Sequence, residues 1–148
     1  MLAKSLVIFI CVGVLAGFTF GFYLHDIKNT NQLVFVDGSS ISIVTEKSDF
    51  KKGEEIKITI VNSGTTPLTF SDTSYGLKIS GLFGIMIYSP PASEVITTLK
   101  PREEIVFVWD QMKNEDVSVL EGLYKISSDG IDSMGSKIEK SITINIWK

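Results

Sequence analysis

Beyond residue 40 the chain alternates apolar and polar positions with a period of two. Ile41, Ile43 and Thr45 interleave with Ser42, Val44 and Glu46, and Ile56, Ile58 and Ile60 interleave with Lys57, Thr59 and Val61. Such alternation places every second side chain on one face of a strand and predicts half-buried β-strands. Turn chemistry separates them. Phe50-Lys51-Lys52-Gly53-Glu54 reads as one turn, and Asn62-Ser63-Gly64-Thr65-Thr66-Pro67 as a second, with Gly64 expected at positive φ and Pro67 opening the next strand. Leu68 and Phe70 resume the pattern, and Tyr75 to Ser80, Gly84 to Tyr88 and Val95 to Leu99 follow as short strands around Gly81 and Pro90-Pro91. After a turn at Pro101 come Glu104 to Trp109, then Glu121 to Ile126, then a long closing strand from Ile138 to Trp147. No helical periodicity runs over ten residues beyond position 26. Seven to nine short strands at this spacing predict an all-β fold, an immunoglobulin-like antiparallel β-sandwich over residues 41–148. Tyr124, just after Gly122, fits a tyrosine corner whose hydroxyl bonds to upstream backbone, and Trp109 and Trp147 are expected in the core.

Two apolar runs break the alternation. In Leu82-Phe83-Gly84-Ile85-Met86-Ile87-Tyr88 apolar residues are almost continuous. A strand buried on both faces produces this pattern and is the first expectation. The alternative is an exposed apolar tip that meets a protein partner, with Leu82, Phe83, Ile85, Met86 and Tyr88 as the candidate partner-binding residues.

The second run, Ser5 to Leu24, is twenty residues without a charge. At 1.5 Å per residue it covers about 30 Å of hydrocarbon, so residues 1–25 are expected to form an N-terminal transmembrane signal anchor and residues 26–40 a stalk. Lys4 precedes the run and Asp26 follows it, which puts the N-terminus in the cytoplasm and the domain outside. Two alternatives stand beside this: a signal peptide cleaved after Val14-Leu15-Ala16, which would leave a secreted domain, and a pilin-like processing site at Lys4-Ser5. Gly13, Gly17 and Gly21 form a small-residue face suited to helix pairing.

Composition narrows the chemistry. The chain has 14 Lys+Arg against 17 Asp+Glu, a net of -3, and no basic stripe, which argues against nucleic-acid binding. The one Cys, Cys11, lies within the N-terminal apolar run, so the domain is held by core burial and not by disulfides. The one His, His25, precedes the domain, so neither a Ser-His-Asp nor a Cys-His arrangement is available to it, nor a His- or Cys-based zinc or copper site. No phosphate-cradling glycine motif occurs. Carboxylates are what remains. Asp129-Gly130-Ile131-Asp132-Ser133 offers oxygen ligands for calcium but reads first as a hairpin turn, and Asp110, Glu115 and Asp116 read as a solvated acidic loop. The expectation is a non-enzymatic chain with no cofactor.

The stretches Phe50-x-x-Gly53-Glu54-x-Ile56-x-Ile58-x-Ile60-x-Asn62, Leu99-x-Pro101-x-Glu103-x-Ile105-x-Phe107-x-Trp109 and Glu121-Gly122-x-Tyr124-x-Ile126 resemble secreted Ig-like modules, especially the BsuPI-type intracellular proteinase inhibitor domain. The resemblance spans most of residues 41–147 and implies a sandwich that acts by binding a protease. In architecture the chain also resembles the stator-like accessory subunits of the archaeal flagellum, which implies a membrane or cell-surface complex as partner.

Overall fold

The computed structural model describes residues 10, 12–21 and 33–148. The chain divides into two compact units, Met1–Asn31 and Gln32–Lys148. In the first, residues 12–21 are helical and exposed. Among the described residues no helix is long and apolar enough to cross a membrane. The expected crossing over Ser5 to Leu24 is therefore not supported, and much of it, with Cys11 and His25, lies outside the described residues.

The second unit is built from strands. Ten are described: β1 Ile41–Thr45, β2 Asp49–Lys51, β3 Ile56–Asn62, β4 Leu68–Phe70, β5 Lys78–Gly81, β6 Met86–Tyr88, β7 Thr97–Leu99, β8 Glu104–Trp109, β9 Gly122–Ile131 and β10 Lys137–Trp147. They form two sheets. The smaller has the order β1-β3-β8, and the larger runs β2-β10-β9-β4-β7, with β5 also paired to β9 and β6 added outside β5. All pairs are antiparallel except one, β2 running parallel to β10 with Phe50 opposite Ile146. The all-β expectation holds, with this single departure from an antiparallel arrangement.

The alternation seen in the sequence is what builds the core. On β3 Ile56, Ile58 and Ile60 are fully buried, and on β1 Ile41 and Ile43 join them. From the larger sheet Leu68, Phe70, Ile79, Ile126, Ile144 and Ile146 meet them in one apolar cluster. Each such side chain contributes about 1.5–3 kcal/mol by leaving water. Trp109 closes this core and its indole N–H donates to Met112 O at 2.7 Å, so its polar atom is satisfied as well.

Several local readings change. Phe50 is a core residue on β2 and not part of a turn, because the tight turn starts only at Lys52-Gly53, with Gly53 at φ 81°. Gly64 is not at positive φ; it is required because a Cβ there would overlap the Gly38 carbonyl and sit 2.7 Å from Ser40 N. The β9–β10 hairpin does not turn at Asp129-Gly130. Gly130 is within β9, where a Cβ would come 2.7 Å from Phe70 Cε1, and the turn is made by Asp132 to Ser136. Trp147 is half exposed on the last strand position and does not belong to the core.

Candidate functional site

The Leu82–Tyr88 run forms the end of a hairpin and is not buried on both faces. Gly81 N–H donates to Ile85 O at 3.0 Å and Gly84 N–H to Gly81 O at 2.9 Å, closing a tight turn with Gly84 at φ 80°. β6 is only three residues long and pairs with β5 alone, and among the described residues nothing covers the projecting tip. Leu82 is 62% exposed, Phe83 96%, Ile85 71% and Met86 53%. Burial, the first expectation, required a covering layer that the topology does not supply; the exposed tip is what the fold builds.

Tyr88, the fifth candidate, separates from the other four. It is half-buried, its ring lies 5.9 Å from that of Trp109, and burial pushes its hydroxyl pKa up, helped by the negative charge of Asp110. Tyr88 is thus an anchor at the base of the hairpin. It also borders an open groove on its other side with Glu55, Val108, Asp110, Met112 and Asn114.

Two residues without a signal of their own complete the apolar surface. Leu120 is 70% exposed and Leu123 46%, and with Leu82, Phe83, Ile85 and Ile87 they line an open groove of about 560 Å³. Each sits beside Glu121-Gly122, where the pattern reads only as a turn into a strand. Gly122 at φ 143° lets the backbone change direction there.

The groove is rigidly supported. Tyr124, on its floor, donates its hydroxyl to Leu120 O at 2.7 Å, the upstream backbone bond expected of a tyrosine corner, and its ring meets Trp109 edge-on at 6.1 Å. Burial pushes its pKa up. Gln111, buried at φ 61°, pins the neighbouring turn: Oε1 accepts Gly53 N–H, and Nε2 donates to Lys51 O and Glu54 O, all at 2.8 Å. Sequence patterning misses Gln111 because a single buried amide has no period.

The chain enters the second unit at the opposite end. Val36 N–H donates to Ser63 O, Gly38 N–H to Thr65 Oγ1, and Ser39 Oγ to Asp132 Oδ2. Gly81 pairs with Tyr124, eight residues up β9 from Asp132, so the hairpin tip lies roughly 25 Å from that end at 3.3 Å per residue.

The carboxylates take structural roles. Asp132 Oδ1 accepts the Met134 and Ser136 amides and shapes the β9–β10 turn. The Ser136 amide, then that of Met134 and the Ser39 hydroxyl, hold its pKa below the usual carboxylate value. Asp129 faces Lys78 at 3.0 Å and Lys137 at 3.7 Å. The two aspartates thus point to different partners, and among the described residues no group of three or more His, Cys, Asp or Glu is arranged to hold a metal.

No family model and no curated protein matches the chain. Among solved structures it is similar to Spo0M, a sporulation control protein from Bacillus subtilis, at 14% identity with a TM-score of 0.43, over 76% of this chain and 51% of that one. The chain therefore spans about half the length of that protein.

Proposed function

We propose that the chain is a non-catalytic, membrane-anchored, extracytoplasmic Ig-like module that engages a protein partner through the β5–β6 hairpin. The observation that carries this reading is the exposure of Leu82, Phe83, Ile85 and Met86 on one projecting turn beside Leu120 and Leu123. These six side chains together expose roughly 700 Å² if each contributes about 180 Å² when fully open, above the few hundred Å² that a monomeric surface usually tolerates. A turn with no functional load would carry polar residues there. The Ig-like assignment is supported by two sheets sharing one core and by the Tyr124 hydroxyl bond. The anchor is supported by the uncharged run Ser5 to Leu24 in the sequence.

A photo-reactive amino acid in place of Phe83, in the full-length protein in its own membranes, tests the reading. It should cross-link to a defined protein, whereas the same group in place of Met134, exposed at the opposite end, should not. Equal labelling from both positions would refute it. The proteinase-inhibitor function implied by the BsuPI resemblance is a special case in which a protease is the partner. Slowed hydrolysis across a panel of serine proteases, relieved by Phe83→Ser, would select it.

A further inference from the structure

The apolar surface carries both a protrusion and a recess. Phe83 stands almost fully exposed at the hairpin tip and forms one wall of the groove that Leu82, Ile85, Ile87, Leu120, Leu123 and Tyr124 continue. At about 560 Å³ the groove is larger than a phenylalanine side chain. We infer that this surface is self-complementary and that its occupant is a second copy of this chain, related by a two-fold axis, with Phe83 of each copy seated in the groove of the other. The inference rests on the hairpin being the partner surface and names the partner.

Three observations favour a second copy. The first is area. Two such surfaces, each of roughly 700 Å², can bury up to about 1,400 Å² in all, which reaches the 1,200–2,000 Å² that a standard stable interface covers. A two-fold contact uses the same patch on both molecules, so a patch with its own knob and recess needs no other surface. The second is charge. The groove rim holds Lys113 and Glu121, one of each sign, and Glu121 is already held by Lys52 at 3.1 Å. With Lys113 and a Glu121 already paired, the rim carries no cluster of like charge that would repel a second copy. The third is the strand edge. Asn114 covers the outer edge of β6, donating its backbone N–H to Ile87 O at 3.1 Å while its Oδ1 accepts Ser89 N–H at 3.1 Å. Open-ended strand addition at β6 is therefore blocked, and association through side chains closes at two copies.

The test uses the full-length chain in detergent or nanodiscs, in a Cys11→Ser background so that introduced thiols are the only ones. Chains carrying Phe83→Cys are mixed with chains carrying Leu120→Cys under mild oxidation. A disulfide-linked heterodimer is expected, at least tenfold more abundant than when either is mixed with Met134→Cys chains. Phe83→Asp should lower the dimer fraction in sedimentation at least tenfold, with the unfolding midpoint of the dilute monomer unchanged because the side chain is 96% exposed there. A cross-link no stronger than the Met134→Cys control, or a dimer that persists in Phe83→Asp, would overturn the inference. If the self-cross-link fails while a different protein is still captured through position 83, this inference falls and the proposed function stands; if neither appears, both fall.

Discussion

Replacing Gln111 with methionine should destabilise the second unit by about 3 kcal/mol, working from three hydrogen bonds lost at nearly constant volume. The amide is buried and each of its bonds is 2.8 Å long. The three losses are unequal. Lys51 O keeps the bond from Glu54 N–H at 3.0 Å, and Gly53 is exposed, so water replaces its partner; each of these costs about 1 kcal/mol or less. Glu54 O is half-buried and loses its donor, which adds about 1–2 kcal/mol. Positive φ at position 111 penalises both residues alike and drops out of the difference. For a unit of this size 3 kcal/mol lowers Tm by about 12 °C. Thermal unfolding followed by far-ultraviolet circular dichroism measures it directly. A shift under about 2 °C would refute the claim that this amide ties the Lys51–Glu54 turn to the end of β8.

Further outcomes follow from single contacts. Tyr124→Phe keeps the ring on Trp109 and removes only the bond to Leu120 O, and should cost about 1 kcal/mol in urea unfolding, with an unchanged m-value. Gly130→Ala should cost about 1–3 kcal/mol through overlap with Phe70, and Phe70→Leu in the same chain should recover part of the loss, so additive costs in the double variant would contradict the contact. The depressed pKa of Asp132 gives stability that is present above the unfolded-state value near 3.8 and is lost as pH falls through the lower folded-state value. Asp72, held down first by the Ser74 hydroxyl and then by its amide, acts with the same sign. Acid titration of Tm should therefore be shallower below pH 4 in Asp132→Asn, and an unchanged slope would remove Asp132 from the account.

The parts of the fold legible in the sequence are those where one face of a strand is buried and the other wet. Ile56, Ile58 and Ile60 announce β3, and Glu104 to Trp109 matches β8 residue for residue, because alternation follows directly from half-burial. Tyr124 was legible because its position after Gly122 carries a known backbone bond. Three features were not. Phe50 has no alternating neighbours on a three-residue strand, so its burial against the core comes from parallel pairing with a segment nearly a hundred residues away. Gly130 looks like turn chemistry beside Asp129, yet its absent side chain serves Phe70. The Leu82–Tyr88 run has the composition of a doubly covered strand, and only the fold shows that β6 lies outside β5 with none of the described residues over its tip. Leu120 and Leu123 join that surface through the fold alone, since β7 and β8 separate them from the hairpin in sequence.

The central claim is that the hairpin tip is an interaction surface. Its most direct test is mild-detergent purification of the full-length protein from its own membranes, wild type against a Leu82→Ser, Phe83→Ser, Ile85→Ser variant, with mass spectrometry of the intact chain and of what accompanies it. The account predicts a stoichiometric partner, another protein or a second copy, that is retained by the wild type and lost from the variant while the variant keeps the far-ultraviolet circular dichroism of the folded chain. The same companions with both chains, or a wild type that purifies alone as a monomer, would contradict it.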